Sequence, residues 1–182
     1  RNVPRIDVSK DYPIIHQYLK QYEYQLNKRQ DKGDHPTNLR NCAYIEEFDK
    51  EKIIFTKASK EQSFTLDTKG YFLLQTAYLL TGERLKYILS LLNSKLINYS
   101  FLNFYQSGGI EGEITYQSIV RIPIVEIPTS EEEPFVTLAE QILQKKELGQ
   151  DTTTLESQID QLVYELYGLT EEEIEIVAGE GK

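Results

Sequence analysis

KIIFTKASKEQSFTLDTKGYFLLQTAYLLTGERLKYILSLL, residues 52–92, carries the change of period on which the fold turns. Its first part holds runs rich in aromatic and β-branched residues at Lys52–Thr56, Ser63–Leu66 and Tyr71–Leu80. Polar turns separate them, so each reads as a strand. Asp67-Thr68-Lys69-Gly70 has the composition of a hairpin-type turn. After Thr81-Gly82 the spacing changes, and Leu85, Ile88, Leu89 and Leu92 fall on one helical stripe. Grouped strands followed by helices predict an α+β fold, a small mixed or antiparallel sheet packed with helices.

Upstream, Asp11 to Arg29 reads as one helix, because Ile15, Leu19, Tyr22 and Leu26 recur at steps of four, three and four. Pro13 suits its first turn, where a missing N–H costs nothing. Lys28 to Asn41 is polar, contains Gly33 and Pro36, and reads as a loop. Downstream, Asn93-Ser94 interrupts the helix before Leu96–Tyr105, which is apolar nearly all round and reads as central core. Ser107-Gly108-Gly109 is a turn. Ile114 to Ile127 brings back β-branched residues, with Pro123 and Pro128 limiting it to short or edge strand segments.

The C-terminal part is helical. Phe135, Leu138, Ala139 and Ile142 line one helix from Ser130 to Lys146, which ends by Gly149. Leu155, Ile159, Leu162, Val163 and Leu166 line the next, with Thr153 and Glu156 at capping-box spacing and Gly168 as its stop. Thr170 and Glu173 repeat that spacing and open a last helix through about Val177. This segment has too little apolar surface to fold by itself. The expected division is therefore 1–129 and a C-terminal helical segment, 130–182, packing on it or on the rest of a longer protein. Arg1 opens the sequence and methionine is absent, so a piece of a longer polypeptide is expected.

Charge is divided in the same way. The net charge of −9 conceals 17 Lys/Arg against 15 Asp/Glu in residues 1–128, and 3 against 14 in residues 129–182. A phosphate backbone would be repelled by the second part, so any nucleic-acid contact is expected in the first. No run of about 18 apolar residues suggests a membrane span, and the start lacks the apolar core of a secretory signal. Cys42 is the only cysteine. It cannot form an internal disulfide, reads as a small buried residue, and fits a cytoplasmic setting.

The sequence lacks the motifs of the common catalytic sites. It has no Gly-x-Gly-x-x-Gly or Walker-type phosphate loop, and Gly108-Gly109-Ile110-Glu111-Gly112 reads as a plain turn. His35 lies in a Gly-Asp-His-Pro loop and reads as solvated, and His16 as a helix-surface residue. Glu131–Glu133 and Glu171–Glu173 sit at helix starts, where the dipole favours negative charge. No catalytic residue, metal ligand or cofactor-binding residue is expected.

A binding function has more to draw on. Between Lys20 and Lys60, nine Lys/Arg are interleaved with Asn27, Gln30, Asn38 and Asn41, though seven acids share the stretch. Lysine holds phosphate, while arginine pairs with guanine and Asn or Gln with adenine. Lys28, Arg29, Lys32 and Arg40 are the candidate phosphate or base contacts, with Lys52, Lys57 and Lys60 lining the same face. The competing expectation is a protein-interaction or subunit-docking module, its acidic helices after Ser130 meeting a partner with no direct DNA contact. A metal-dependent nuclease or hydrolase is a remoter third.

Three segments are familiar together: Thr81–Leu96 (TGERLKYILSLLNSKL), Gly109–Pro128 with its Tyr-x-Ser-Ile-Val-x-Ile-Pro-Ile core, and Leu155–Ile174 (LESQIDQLVYELYGLTEEEI). Together they resemble the TaqI-like C-terminal specificity domain of restriction–modification enzymes that methylate adenine and often also cleave DNA. The middle segment also resembles the exit of type I specificity subunits. The resemblance implies duplex-DNA target recognition by this chain. It places S-adenosylmethionine binding and an Asn-Pro-Pro-Tyr/Phe motif in a methyltransferase domain upstream in the same polypeptide. It implies no catalytic residue here.

Overall fold

A computed structural model describes residues 6–57, 63–105 and 114–179. The chain divides into two units, Arg1–Ile45 and Glu46–Lys182. In the first, the single helix expected from Asp11 to Arg29 is instead three: α1 (Val8–Asp11), α2 (Pro13–Lys20) and α3 (Glu23–Lys28). Asp7 caps α1, its carboxylate accepting from the Ser9 amide at 3.1 Å. The break at Tyr12 follows from Pro13, whose ring disfavours helical geometry in the residue before it, and Tyr12 sits at φ −139°, ψ 62°. Among the described residues of these helices none is fully buried; of the stripe, Ile15 and Tyr22 are exposed while Leu19 and Leu26 are half-buried. Cys42 is also exposed, against the expectation of a buried residue.

The second unit confirms the α+β expectation. Among the described residues its sheet is antiparallel in the order β2-β1-β3: β1 (Lys52–Thr56) is central, flanked by β2 (Phe64–Asp67) and β3 (Ala77–Leu80). β2 and β3 lie on opposite edges, so the Asp67–Gly70 turn is not a hairpin. Asp67 makes it differently, its carboxylate accepting from the Lys69 and Tyr71 amides at 2.8 Å each. The strand expected from Tyr71 begins only at Ala77. β1 ends at Thr56, which pairs with Ala77, and beyond that pair the Lys57 amide donates to the Thr76 carbonyl at 2.9 Å.

α4 (Leu85–Leu92) is the centre of this unit because it is apolar on two faces. Leu85, Leu89 and Leu92 pack with Ile53, Phe55 and Phe64 of the sheet. Tyr87 and Leu91 point into a second cluster with Phe135, Ile159 and Val163. That cluster joins α4 to α7 (Glu133–Glu147) and α8 (Thr153–Tyr167). Between them come α5 (Lys95–Ser100), a π-helical turn over Phe101–Tyr105, and α6 (Tyr116–Ile119). Ile97 and Phe101 are buried but Leu102 and Phe104 are exposed, so α4, and not this segment, is the central helix.

In place of the strand expected over residues 114–127, the described structure is α6 followed by an extended strap without strand partners. Side chains take the place of a neighbouring strand. Tyr167 donates to the Pro123 carbonyl at 2.7 Å, Tyr87 to the Val125 carbonyl at 2.7 Å, and Arg84 to the Ile127 carbonyl at 2.8 Å. Alternate carbonyls of an extended chain share one side, so three donors satisfy one edge. Proline at 123 and 128 removes two N–H groups that would otherwise need partners.

At the C-terminus, α9 (Glu171–Ala178) opens with the expected capping box, Thr170 accepting from the Glu173 amide while Glu173 accepts from the Thr170 amide. The box expected at Thr153 is absent; α8 starts after Thr152, whose hydroxyl donates to Glu156 at 2.8 Å. Glu132 stands at the start of α7, as expected, at its N-cap position. It is buried and paired with Arg84.

Candidate nucleic-acid interface

Lys28, Arg29, Lys32 and Arg40 fall together in the first unit, at the end of α3 and along the following loop. That loop is closed by a bridge between Lys32 and Leu39 and by the Gly33 amide donating to the Asn38 carbonyl at 3.3 Å. Glycine is required at 33, because a Cβ there would lie 2.5 Å from the Leu39 carbonyl oxygen. Arg29 is the loop's fastener. Its guanidinium donates to the Asn38 and Pro36 carbonyls, and its Nε is buried without a hydrogen-bond partner among the described residues. Arg29 therefore shapes the loop.

The other three cations remain at the surface. Lys28 lies over the Tyr24 ring, 4.3 Å from its centroid, and Lys32 donates to the Asn27 carbonyl at 2.8 Å. Arg40 faces Asp31 at 3.6 Å, but with its side chain 75% exposed the pair is solvent-screened and weak. All three are accessible to a polyanion.

The second unit holds Lys52 and Lys57. Lys52 is a correction: it is 0% exposed and lines no surface. Its ammonium lies 2.5 Å from the Asp67 carboxylate and donates to the Phe48 carbonyl at 2.7 Å. Burial pushes the Asp67 carboxyl up, but the Lys52 ammonium and the Lys69 and Tyr71 amides outweigh it and hold the group below its ordinary value. The strand pattern that predicted β1 contains the reason, since Lys52 pairs with Asp67 across the sheet. Lys57 is half-buried over Tyr78, 5.0 Å from the ring centroid. Lys60, Gly108–Gly112 and Glu111 and Glu113 lie outside the described residues.

One feature of the first unit was not legible in the sequence. His16, Lys20, His35 and Thr37 line a common cavity of about 190 Å³ with Glu23 and Asn27. The two histidines are 19 positions apart, and only the loop closure at Gly33 brings the second toward the helices. His35 is exposed, as expected, with its Nδ1 2.7 Å from the Thr37 hydroxyl. Among the described residues no group of three or more His, Cys, Asp or Glu could hold a metal ion, and no helix is long and apolar enough to cross a membrane.

The family model of the TaqI-like C-terminal specificity domain matches residues 3–124. The chain belongs to this family, whose membership supports a target-recognition role in a restriction–modification system. The match includes both compact units in part: all the described helices of the first, and the sheet, α4 to α6 and the start of the strap in the second. It ends before the acidic helices, and so before the Leu155–Ile174 segment. No curated protein matches the chain.

Proposed function

We propose that this chain binds duplex DNA sequence-specifically as the target-recognition part of a DNA adenine methyltransferase, with or without endonuclease activity. It performs no catalysis itself; S-adenosylmethionine is bound by a methyltransferase domain of the same polypeptide. The family match over residues 3–124 carries the reading. The exposed Lys28, Lys32 and Arg40 support it, being cations accessible to a backbone of phosphates.

Fluorescence anisotropy with duplex DNA across 50–200 mM salt tests the proposal, because each phosphate held by the protein adds about 0.9 to the slope of log affinity against log salt. Replacing Lys28, Lys32 and Arg40 by alanine is expected to flatten that slope by roughly one unit for every phosphate no longer held. Absence of binding at low salt, with the parent enzyme's own target site present, would overturn the reading.

A docking role is favoured by one observation, the outward apolar face of α2, where Ile14 is 83% and Tyr18 60% exposed. In that case charge reversal at Lys28 and Lys32 leaves association with the catalytic domain unchanged, and no DNA binding is found.

A further inference from the structure

Resting on the DNA-reading assignment, we propose that the cavity between α2, α3 and the 35–37 loop seats a phosphodiester of the DNA backbone. At about 190 Å³ the cavity is smaller than the roughly 300–1,000 Å³ of small-molecule sites, so it suits a compact group and not a nucleotide or cofactor. Leu19, Leu26 and Pro36 form its apolar walls, and donors lie among its polar groups. Lys20 brings an ammonium that makes no ion pair among the described residues, and His16 and His35 bring imidazoles. Thr37 holds the His35 ring in place, its hydroxyl 2.7 Å and its amide nitrogen 3.3 Å from Nδ1.

The wall holding His35 and Thr37 is fixed from outside the cavity, because Arg29 ties the carbonyls of Pro36 and Asn38 on either side of Thr37. A preformed donor set loses little conformational freedom on binding. Glu23 also lines the cavity, and its carboxylate opposes an anion. The Lys20 ammonium offsets that charge, and the two imidazoles add hydrogen-bonding groups around the same space. Lys28, the neighbouring exposed cation on α3, extends the positive surface beyond the cavity.

The sequence contains only two histidines, both of them lining this cavity, so their ring C–H resonances report its occupancy without assignment ambiguity. The full chain is titrated with duplex DNA, and separately with inorganic phosphate, while both signals are followed. DNA is expected to move both. Lys20→Ala should abolish the movement and weaken DNA affinity about eightfold at 0.1 M salt relative to a 1 M reference, the effect of one phosphate contact. Glu23→Gln should tighten binding more than the same charge change at the exposed Glu46.

If DNA binds but neither histidine signal moves and Lys20→Ala is silent, the cavity assignment is overturned while the DNA-reading function stands. If phosphate alone moves the signals and DNA does not, the cavity takes a free anion and the assignment is overturned. If the chain fails to bind DNA at all, both fall.

Discussion

Lys52→Met isolates the buried ion pair of β1 and β2. Methionine keeps the length and most of the apolar stem, so no cavity opens, and the substitution removes the ammonium alone. Breaking a buried pair from one side costs about 3–5 kcal/mol, because the remaining charge has no partner. Asp67 keeps its two amide donors at 2.8 Å, so the lower end, about 3 kcal/mol, is expected. For a chain of this size that is a fall of roughly 6–12 °C in Tm.

The loss should depend on pH in a defined direction. The folded Asp67 carboxyl lies below its ordinary 3.8, so its contribution is complete above that pH and disappears as pH falls through the lower, folded value. The gap between wild type and Lys52→Met is therefore full at pH 7 and narrows below about pH 4. Urea unfolding at a series of pH values reads this directly. Adding Asp67→Asn to Lys52→Met should recover part of the loss, since the neutral amide still offers an oxygen to the turn. A gap under about 1 kcal/mol, the worth of an exposed pair, or one independent of pH, would refute the reasoning. A flattened DNA salt slope with unchanged stability would refute it too, by restoring Lys52 to the surface.

Tyr87→Phe strips the Val125 carbonyl of its donor and should cost about 1–3 kcal/mol, and Tyr167→Phe less, because its bond to Pro123 is more accessible. Burial pushes the Tyr87 phenol from 10.0 up to about 12, so its contribution is present below pH 10 and is lost as pH rises toward 12. Tyr87→Phe should remove that alkaline slope in urea melts. Arg84→Ala leaves the buried Glu132 unpaired and should destabilise by about 3 kcal/mol. Arg84→Gly should be milder by about 1 kcal/mol in thermal unfolding, since Arg84 sits at φ 59°.

Local pattern was enough for the elements that repeat within a few residues. The Leu85–Leu92 stripe, the β1 and β2 runs and the Thr170 box lie where their spacing places them. What a stripe cannot reveal is a second buried face. Tyr87 and Leu91 bury against helices more than forty positions away, which no local period encodes. The strap misled for a related reason. Ile122 and Ile124 have strand chemistry, yet the carbonyls around them meet phenols and a guanidinium from distant segments. Lys52 misled because charge in a polar stretch suggests solvent, and only its register opposite Asp67 makes burial tolerable. In the first unit Lys28, Lys32 and Arg40 were legible as surface cations, whereas the clustering of His16, Lys20 and His35 depends on how Gly33 lets the loop close.

The tethering of the strap gives the specificity domain an anatomical edge that differs from its family edge. Residue 124 ends the match, yet the phenol that holds Pro123 belongs to α8, and the face of α4 bearing Tyr87 is roofed by α7. Trimming at the family edge would leave a greasy helix face wet and the Pro123 carbonyl bare. In this protein the acidic helices are thus a splint for the module they brace, and their charge would turn the splinted side away from any nucleic acid.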